Sequence, residues 1–274
     1  MKSKLIILSS LLLFAACSKS KSDNIPEVKP ADTEATTVKV MTYNIYGARE
    51  GGIPDLKVIA EVIKRANPDI VALQEVDKFT SRNERNGDIA KELGKLTGME
   101  YFFAKAIGIG TGEYGDAVLS KLPIQETKAY SLAVTPELGG EIRSVARILV
   151  EKDKKQFYFI STHFDHLQNE GNRLKQARDF VTLAKSFDKP MIVGADFNAL
   201  PTSEPMKILR EFFHLGCPNG NCSQATFSTS NPKSTIDYLI YSPIDAFTAK
   251  SYEVYTWANK ESDHFPVLAT FIVK

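Results

Sequence analysis

Apolar residues in this chain gather in short runs that stop on a polar side chain, and these runs alternate with stretches of helical period. Residues 38–45 alternate apolar and polar positions up to Asn44, and Tyr46-Gly47 begins a turn, which predicts a first core strand. Pro54 suits a first helical turn, and Leu56, Ile59, Val62 and Ile63 form an apolar stripe that ends before Asn67-Pro68. Residues 70–73 predict a buried strand closed by the polar pair Gln74-Glu75. After a charged loop at 82–86, Ile89, Ala90, Leu93 and Leu96 predict a helix closed by Gly98, and residues 101–105 a short strand.

Gly108, Gly110, Gly112 and Gly115 then interrupt the pattern around Thr111. The stretch lacks the Lys-Ser ending and following helix of a nucleotide phosphate loop. Residues 115–120, 128–134, 142–151 and 156–163 read as strands with hairpin spacing. Leu174, Ala177, Phe180, Val181 and Ala184 form an amphipathic helix leading to the apolar run Met191, Ile192 and Val193, which Gly194, Asp196, Asn198 and Pro201 bring to a stop. A helix over 203–212 and strands over 236–241, 247–255 and 265–273 complete the set. Strand–helix–strand units at the start and middle with hairpins between them predict mixed sheets with helices outside.

The ends follow different rules. Lys2 and Lys4 precede an apolar stretch, Leu5 to Ala16, too brief to span a bilayer as a mature helix, so residues 1–17 read as an export signal. Phe14-Ala-Ala-Cys17 resembles the bacterial lipoprotein processing box, which implies lipidation of Cys17 and a membrane-anchored protein in the periplasm or on the cell surface. Residues 18–37, polar and nearly devoid of apolar groups, read as a flexible tether, and 38–274 as one domain. The chain is expected to be monomeric.

Of the 34 basic and 33 acidic residues, six basic and four acidic lie in the first 40 positions, so the remainder is balanced to within one charge. That balance gives no bulk electrostatic reason to bind nucleic acid. Cys217 and Cys222 flank four residues, a spacing that suits a loop staple in an exported protein better than a zinc site. Closing so short a loop contributes about 2 kcal/mol.

The chemistry lies in a recurring arrangement of an apolar strand followed by acidic, amide or imidazole groups. It occurs at Asn44, at Gln74-Glu75, at His163-Phe-Asp165-His166, at Asp196-Phe-Asn198 and at Asp263-His264, with Asp237 embedded in Ile236-Asp-Tyr-Leu-Ile240. Capping of backbone donors explains one such carboxylate, but six recurrences require partners because burying charge is costly. Oxygen and imidazole donors without thiolates suit a hard divalent cation such as Mg2+, with Mn2+ as a substitute, and point to metal-assisted phosphoester hydrolysis.

The ordered set Tyr43-Asn44-Ile45, Leu73-Gln-Glu-Val76, Thr162-His163, Gly194-Ala-Asp-Phe-Asn198, Ile236-Asp-Tyr238 and Ser262-Asp-His-Phe-Pro266 resembles the endonuclease/exonuclease/phosphatase superfamily across residues 38–272. The resemblance implies an α/β four-layer sandwich, two mixed β-sheets packed face to face with helices on both outer faces. It also implies roles. Glu75 would ligate the metal with Asn44 beside it and Asp263 near. Asp196 would orient or deprotonate the attacking water, Asn198 would donate to phosphate, and His264, fixed by Asp237, would contact the scissile phosphate. His163 would protonate the leaving group, and Arg143 would bind phosphate, with a salt bridge to Glu141 as the plainer reading. Asp116 stands where family members often carry asparagine, so it either binds metal, pairs with His163 or repels phosphate. Asp165 and His166 are left between rim and packing roles.

The resulting expectation is a divalent-metal-dependent phosphodiesterase or phosphatase acting on a small phosphoester or lipid head group outside the cytoplasm. The alternatives are a secreted or surface deoxyribonuclease, and an inactive lipoprotein that binds phosphate or lipid head groups. The full set of Glu75, Asp196, Asn198, Asp237 and two histidines argues against the inactive form, because binding alone requires no water-orienting carboxylate.

Overall fold

The computed structural model describes residues 35–49, 55–83 and 87–274. The expected signal with Cys17, most of the tether and the first-turn Pro54 lie outside these residues. The order is β1 (Thr37–Asn44), α1 (Leu56–Ala66), β2 (Ile70–Lys78), α2 (Ile89–Thr97), β3 (Glu100–Ile109), β4 (Gly112–Ser120), β5 (Glu126–Leu132) and β6 (Arg143–Lys152). There follow β7 (Lys155–His163), α3 (Gly171–Lys185), β8 (Met191–Asp196), α4 (Glu204–Arg210), β9 (His214–Leu215), β10 (Asp237–Ser242), β11 (Phe247–Val254) and β12 (Val267–Val273).

These form two six-stranded mixed sheets, ordered β11-β12-β1-β2-β4-β3 and β5-β6-β7-β8-β10-β9. The inner faces share one core in which Val40, Ala72 and Val118 of the first sheet meet Ile148, Phe159 and Ile192 of the second. The outer face of the first sheet, through Met41, Tyr43, Val71 and Leu73, buries Ile59 and Ile63 of α1 and Ile89 and Leu93 of α2. The second sheet does the same with Phe180 of α3 and Met206 of α4. The result is the α/β four-layer sandwich. Burial on both faces explains why the central strands read as nearly continuous apolar runs.

Local chemistry sets the helix limits. Asp55 accepts a hydrogen bond from the Lys57 N–H at the start of α1, and Asn67 ends it in the left-handed conformation (φ 53°). Asp88 caps α2 through the Lys91 N–H, so the loop carboxylate is a helix cap.

The glycine-rich stretch is strand on both sides of a turn, with Gly108 opposite Glu113 and Gly115 opposite Lys105 in the β3–β4 ladder, and Gly110 turning the chain at φ 59°. The ladder satisfies the backbone even where side chains are absent, so β3 is longer than its apolar pattern suggests. His214 pairs with Tyr241 in the two-residue strand β9, too short to register as a period. Gln74 is also reassigned. It is buried between the sheets, accepting from Thr42 Oγ1 and donating to Ser161 Oγ (3.0 Å) and the Gly194 carbonyl (3.3 Å).

Two parallel pairs position the site. β1, joined to β2 through α1, ends at Asn44 opposite Gln74, where the pairing of the two strands stops; β7 and β8, joined through α3, end together with His163 opposite Asp196. β10 begins antiparallel at the same level, Asp237 opposite Asp196. Strand polarity therefore delivers the polar termini to one end of the sandwich.

Candidate active site

Asn44 lies where the two sheets meet. Its Nδ2 lies 3.2 Å from Glu75 Oε1, 3.0 Å from Asp196 Oδ2 and 3.4 Å from His264 Nε2. One amide thus touches three functional groups drawn from different segments. Ser262 supports it by donating to the Asn44 carbonyl at 2.7 Å. Glu75 sits in a bulge of β2 opposite β4, at φ 57°, an unusual conformation for a side chain of its type that turns it out of the strand alternation.

Asp196 is 1% exposed. Its Oδ1 accepts the Asn198 N–H at 2.8 Å, Asn198 being held at φ 48°, and its Oδ2 lies 3.5 Å from His163 Nε2 and 3.7 Å from His264 Nε2. Burial and neighbouring Asp237 push it up to about 7, against the opposing pull of His264 and the two hydrogen bonds. His264 Nδ1 pairs with Asp237 Oδ2 at 2.9 Å. Burial disfavours the charged ring, but Asp237, Asp196 and Asp263 together outweigh it and bring His264 to about 10. Phe227 packs its ring 4.7 Å from that of His264. Asp263 is half-buried, its Oδ1 4.0 Å from His264 Nε2, and burial raises it above the usual carboxylate range.

The second histidine stands among donors. His163 Nε2 lies 2.9 Å from Asn198 Nδ2 and its Nδ1 3.3 Å from Arg143 Nη1. Burial first, then the Arg143 charge, holds it well below the ordinary imidazole range. Arg143 itself is 2% exposed and engaged with both histidines of the stretch, with Tyr114 and with Glu141 at 3.2 Å. Asp116 accepts from Ser144 Oγ, while its Oδ1 is buried without a partner. Desolvation lifts it to about 8, against Ser144 and Arg143.

Asp165 lies apart from this cluster. Its oxygens accept the Glu141 and Leu167 N–H groups and so anchor the loop before β6. Cys217 and Cys222 form a disulfide. Three neighbours carried little sequence signal: Tyr114 lay in the glycine-rich stretch, Phe227 in a segment without period, and Asp77, which accepts a bidentate contact from Arg82, within an apolar strand. Ser262 was marked only by its adjacency to Asp263.

The donors fit a divalent cation. Ligand atoms of Asp196, Asp237 and His264 lie within 4.8 Å of one another, and Glu75, Asn44 and Asp263 border them. Carboxylates, amide and imidazole without thiolate make a hard set. Burial raises Asp116, Asp196 and Asp263 alike, so these acids carry little compensating positive charge from the protein, a setting that a divalent ion would suit.

Comparison with known proteins gives the same direction. A model of the Endonuclease/Exonuclease/phosphatase family matches residues 41–264. Nocturnin of Drosophila melanogaster is 25% identical over 220 residues, 68% of this chain and 32% of that protein, so the chain spans about a third of that relative's length. Among solved structures, an endonuclease/exonuclease/phosphatase from Beutenbergia cavernae has a TM-score of 0.71 at 20% identity, covering 87% of this chain and 72% of that one. A mannosyl-6-phosphatase from Bacteroides thetaiotaomicron scores 0.64 at 21% identity, covering 86% and 99%. The human Nocturnin catalytic domain with bound sulfate scores 0.66 at 21%, covering 87% and 94%. At these identities the structural likeness speaks for the fold.

Proposed function

This chain belongs to the endonuclease/exonuclease/phosphatase family, and on that premise we propose that it is an exported, Mg2+-dependent hydrolase of small phosphoesters or phosphorylated head groups. Its family and its buried Asp196–Asp237–His264 group support metal-dependent phosphoesterase activity in general. The observation that carries the reading is the Asn44 amide touching Glu75, Asp196 and His264 at once, because it brings metal-type and water-orienting groups within one hydrogen-bonded set.

Glu75, Asn44 and Asp263 are the residues we assign to the cation, since the Nδ1 of His264 and both Asp237 oxygens are committed to each other at 2.9 and 3.2 Å. When bound, Mg2+ supplies charge for the phosphate oxygens and a more acidic water. The chain's own residues do the rest. Asp196, held by the Asn198 N–H and brought to about 7, orients the attacking water and takes its proton close to neutral pH. His264, charged because three carboxylates surround it, directs Nε2–H at the developing negative charge on phosphate while Asp237 fixes its Nδ1–H. Asn198 donates through Nδ2 on the same side. The stored proton for the leaving group falls to His264, because burial and the Arg143 charge hold His163 neutral.

A near-neutral catalytic region favours a small phosphoester over a nucleic-acid track. The mannosyl-6-phosphatase relative lends weight to phosphorylated sugars as a substrate class. The motif at Cys17 supports a lipid-anchored location.

The test is hydrolysis of bis-p-nitrophenyl phosphate by the protein from about residue 36, with magnesium, manganese or chelator, beside Asp196→Ala and His264→Ala. Metal-dependent turnover lost in both variants is expected. A folded, metal-binding protein inactive on sugar phosphates, head-group esters and nucleic acid would overturn the proposal, and turnover confined to nucleic acid would replace it with a nuclease.

A further inference from the structure

One buried guanidinium grips two imidazoles. Arg143 Nη1 lies 3.3 Å from His163 Nδ1, and Nη2 lies 3.1 Å from His166 Nδ1. Guanidinium nitrogens donate and never accept, so each contact calls for a lone pair on the facing ring nitrogen. The same terminal nitrogens also meet the Tyr114 hydroxyl at 3.5 Å and Glu141 Oε2 at 3.2 Å. At 2% exposure and with both terminal nitrogens engaged, Arg143 has little left with which to reach a substrate phosphate.

The two rings differ in what faces their other nitrogen. His163 is buried, and its Nε2 lies 2.9 Å from the Asn198 amide and 3.5 Å from Asp196 Oδ2, so with Nδ1 accepting from Arg143 its one ring proton sits on Nε2 among protein partners. His166 is exposed, and its Nε2 has no partner among the described residues. With Nδ1 turned inward to a buried cation, the proton of the neutral ring must sit on Nε2, on the side facing away from Arg143.

We propose that Arg143 is a positioning residue which fixes His166 in its Nε2–H form, and that His166 donates that hydrogen to a substrate oxygen at the mouth of the site. The proposal rests on the phosphoesterase reading for its substrate, although the ring assignment stands on geometry alone. His166 then contributes to binding and selectivity.

Nitrogen-15 NMR separates these statements cleanly, because the chain has four histidines and each ring signal is assignable by substitution. In the wild-type protein the neutral His166 ring is expected to show an acceptor-type Nδ1 and a protonated Nε2. Arg143→Lys, which keeps the charge but loses the fork, is expected to give a mixture of tautomers. A wild-type His166 ring protonated at Nδ1 overturns the proposal whether or not the variant folds. In kinetics on bis-p-nitrophenyl phosphate, His166→Ala is expected to raise KM about tenfold, the effect of one lost hydrogen bond, with kcat held within about twofold. His166→Gln, which retains an N–H donor, should recover part of the loss. An unchanged KM, or a fall in kcat alone, refutes the substrate contact. A wild-type protein without phosphoester turnover counts against the activity itself, and the tautomer result is read independently of it.

Discussion

Glu75 and Asp116 show how a single side chain depends on its strand. Glu75 escapes the alternation of β2 through a bulge and a left-handed backbone, and so faces Asn44 instead of the core. Glu75→Gln keeps the shape and removes the charge. We expect kcat/KM at limiting magnesium to fall roughly 10–100-fold with partial recovery at high magnesium, which a magnesium titration of initial rates checks. Asp116 lies across the ladder in an environment that lifts it to about 8. Between pH 4 and about 8 the metal-free folded protein therefore holds a proton that the unfolded chain has released, and its stability falls across that window. Asp116→Asn removes this slope, so its melting temperature should gain on the wild type between pH 5 and pH 8 and gain no more above that. A constant difference across the range would place the proton elsewhere.

At the scale of elements, the site depends on how closely the two sheets approach. A Cβ on Gly194 of β8 would lie 2.7 Å from the Ala72 Cβ and 2.9 Å from the Thr42 Cβ, below any normal contact. Glycine at this position lets β8 lie against β1 and β2, and the Gln74 amide ties the same level together through Ser161 and the Gly194 carbonyl. Gly194→Ala should cost about 1–3 kcal/mol by overpacking and should also lower activity, because it presses apart the strands that carry Asn44 and Asp196. Urea denaturation and initial rates on the same preparation measure both effects; a loss of stability with unaltered rates would show that the separation is absorbed before it reaches the site.

Across the molecule, buried acid and cation are coupled. Burial raises Asp263, one of the residues assigned to the cation, and burial with Asp237 holds neighbouring Asp196 at about 7, so at lower pH protons neutralise the carboxylates whose charge would favour a metal. Millimolar magnesium should therefore raise the melting temperature little at about pH 5.5 and increasingly up to about pH 8, and EDTA should reverse the gain. Thermal melts across that range test it, and a magnesium increment independent of pH would mean that the cation sits away from these carboxylates.

The strand and helix pattern, and the polar residue closing each run, were legible in the sequence because burial on both faces of the central strands leaves a nearly unbroken apolar signal that ends where the strand meets solvent and chemistry. The ordered motifs around Asn44, Glu75, Asp196 and His264 made the sandwich legible as well. What remained hidden depended on distance in space. Gln74 and Glu75 are neighbours in sequence, yet one staples the sheets and the other enters the site, because the bulge they form between Leu73 and Val76 turns one side chain outward. His163, Asp165 and His166 read as one cluster, whereas Asp165 anchors a loop and a single arginine from β6 holds the two rings. The order of residues determined which groups reach the strand ends; only packing of one sheet on the other decided which of them touch, since hydrogen bonds and charges act over a few ångströms of space whatever the separation along the chain.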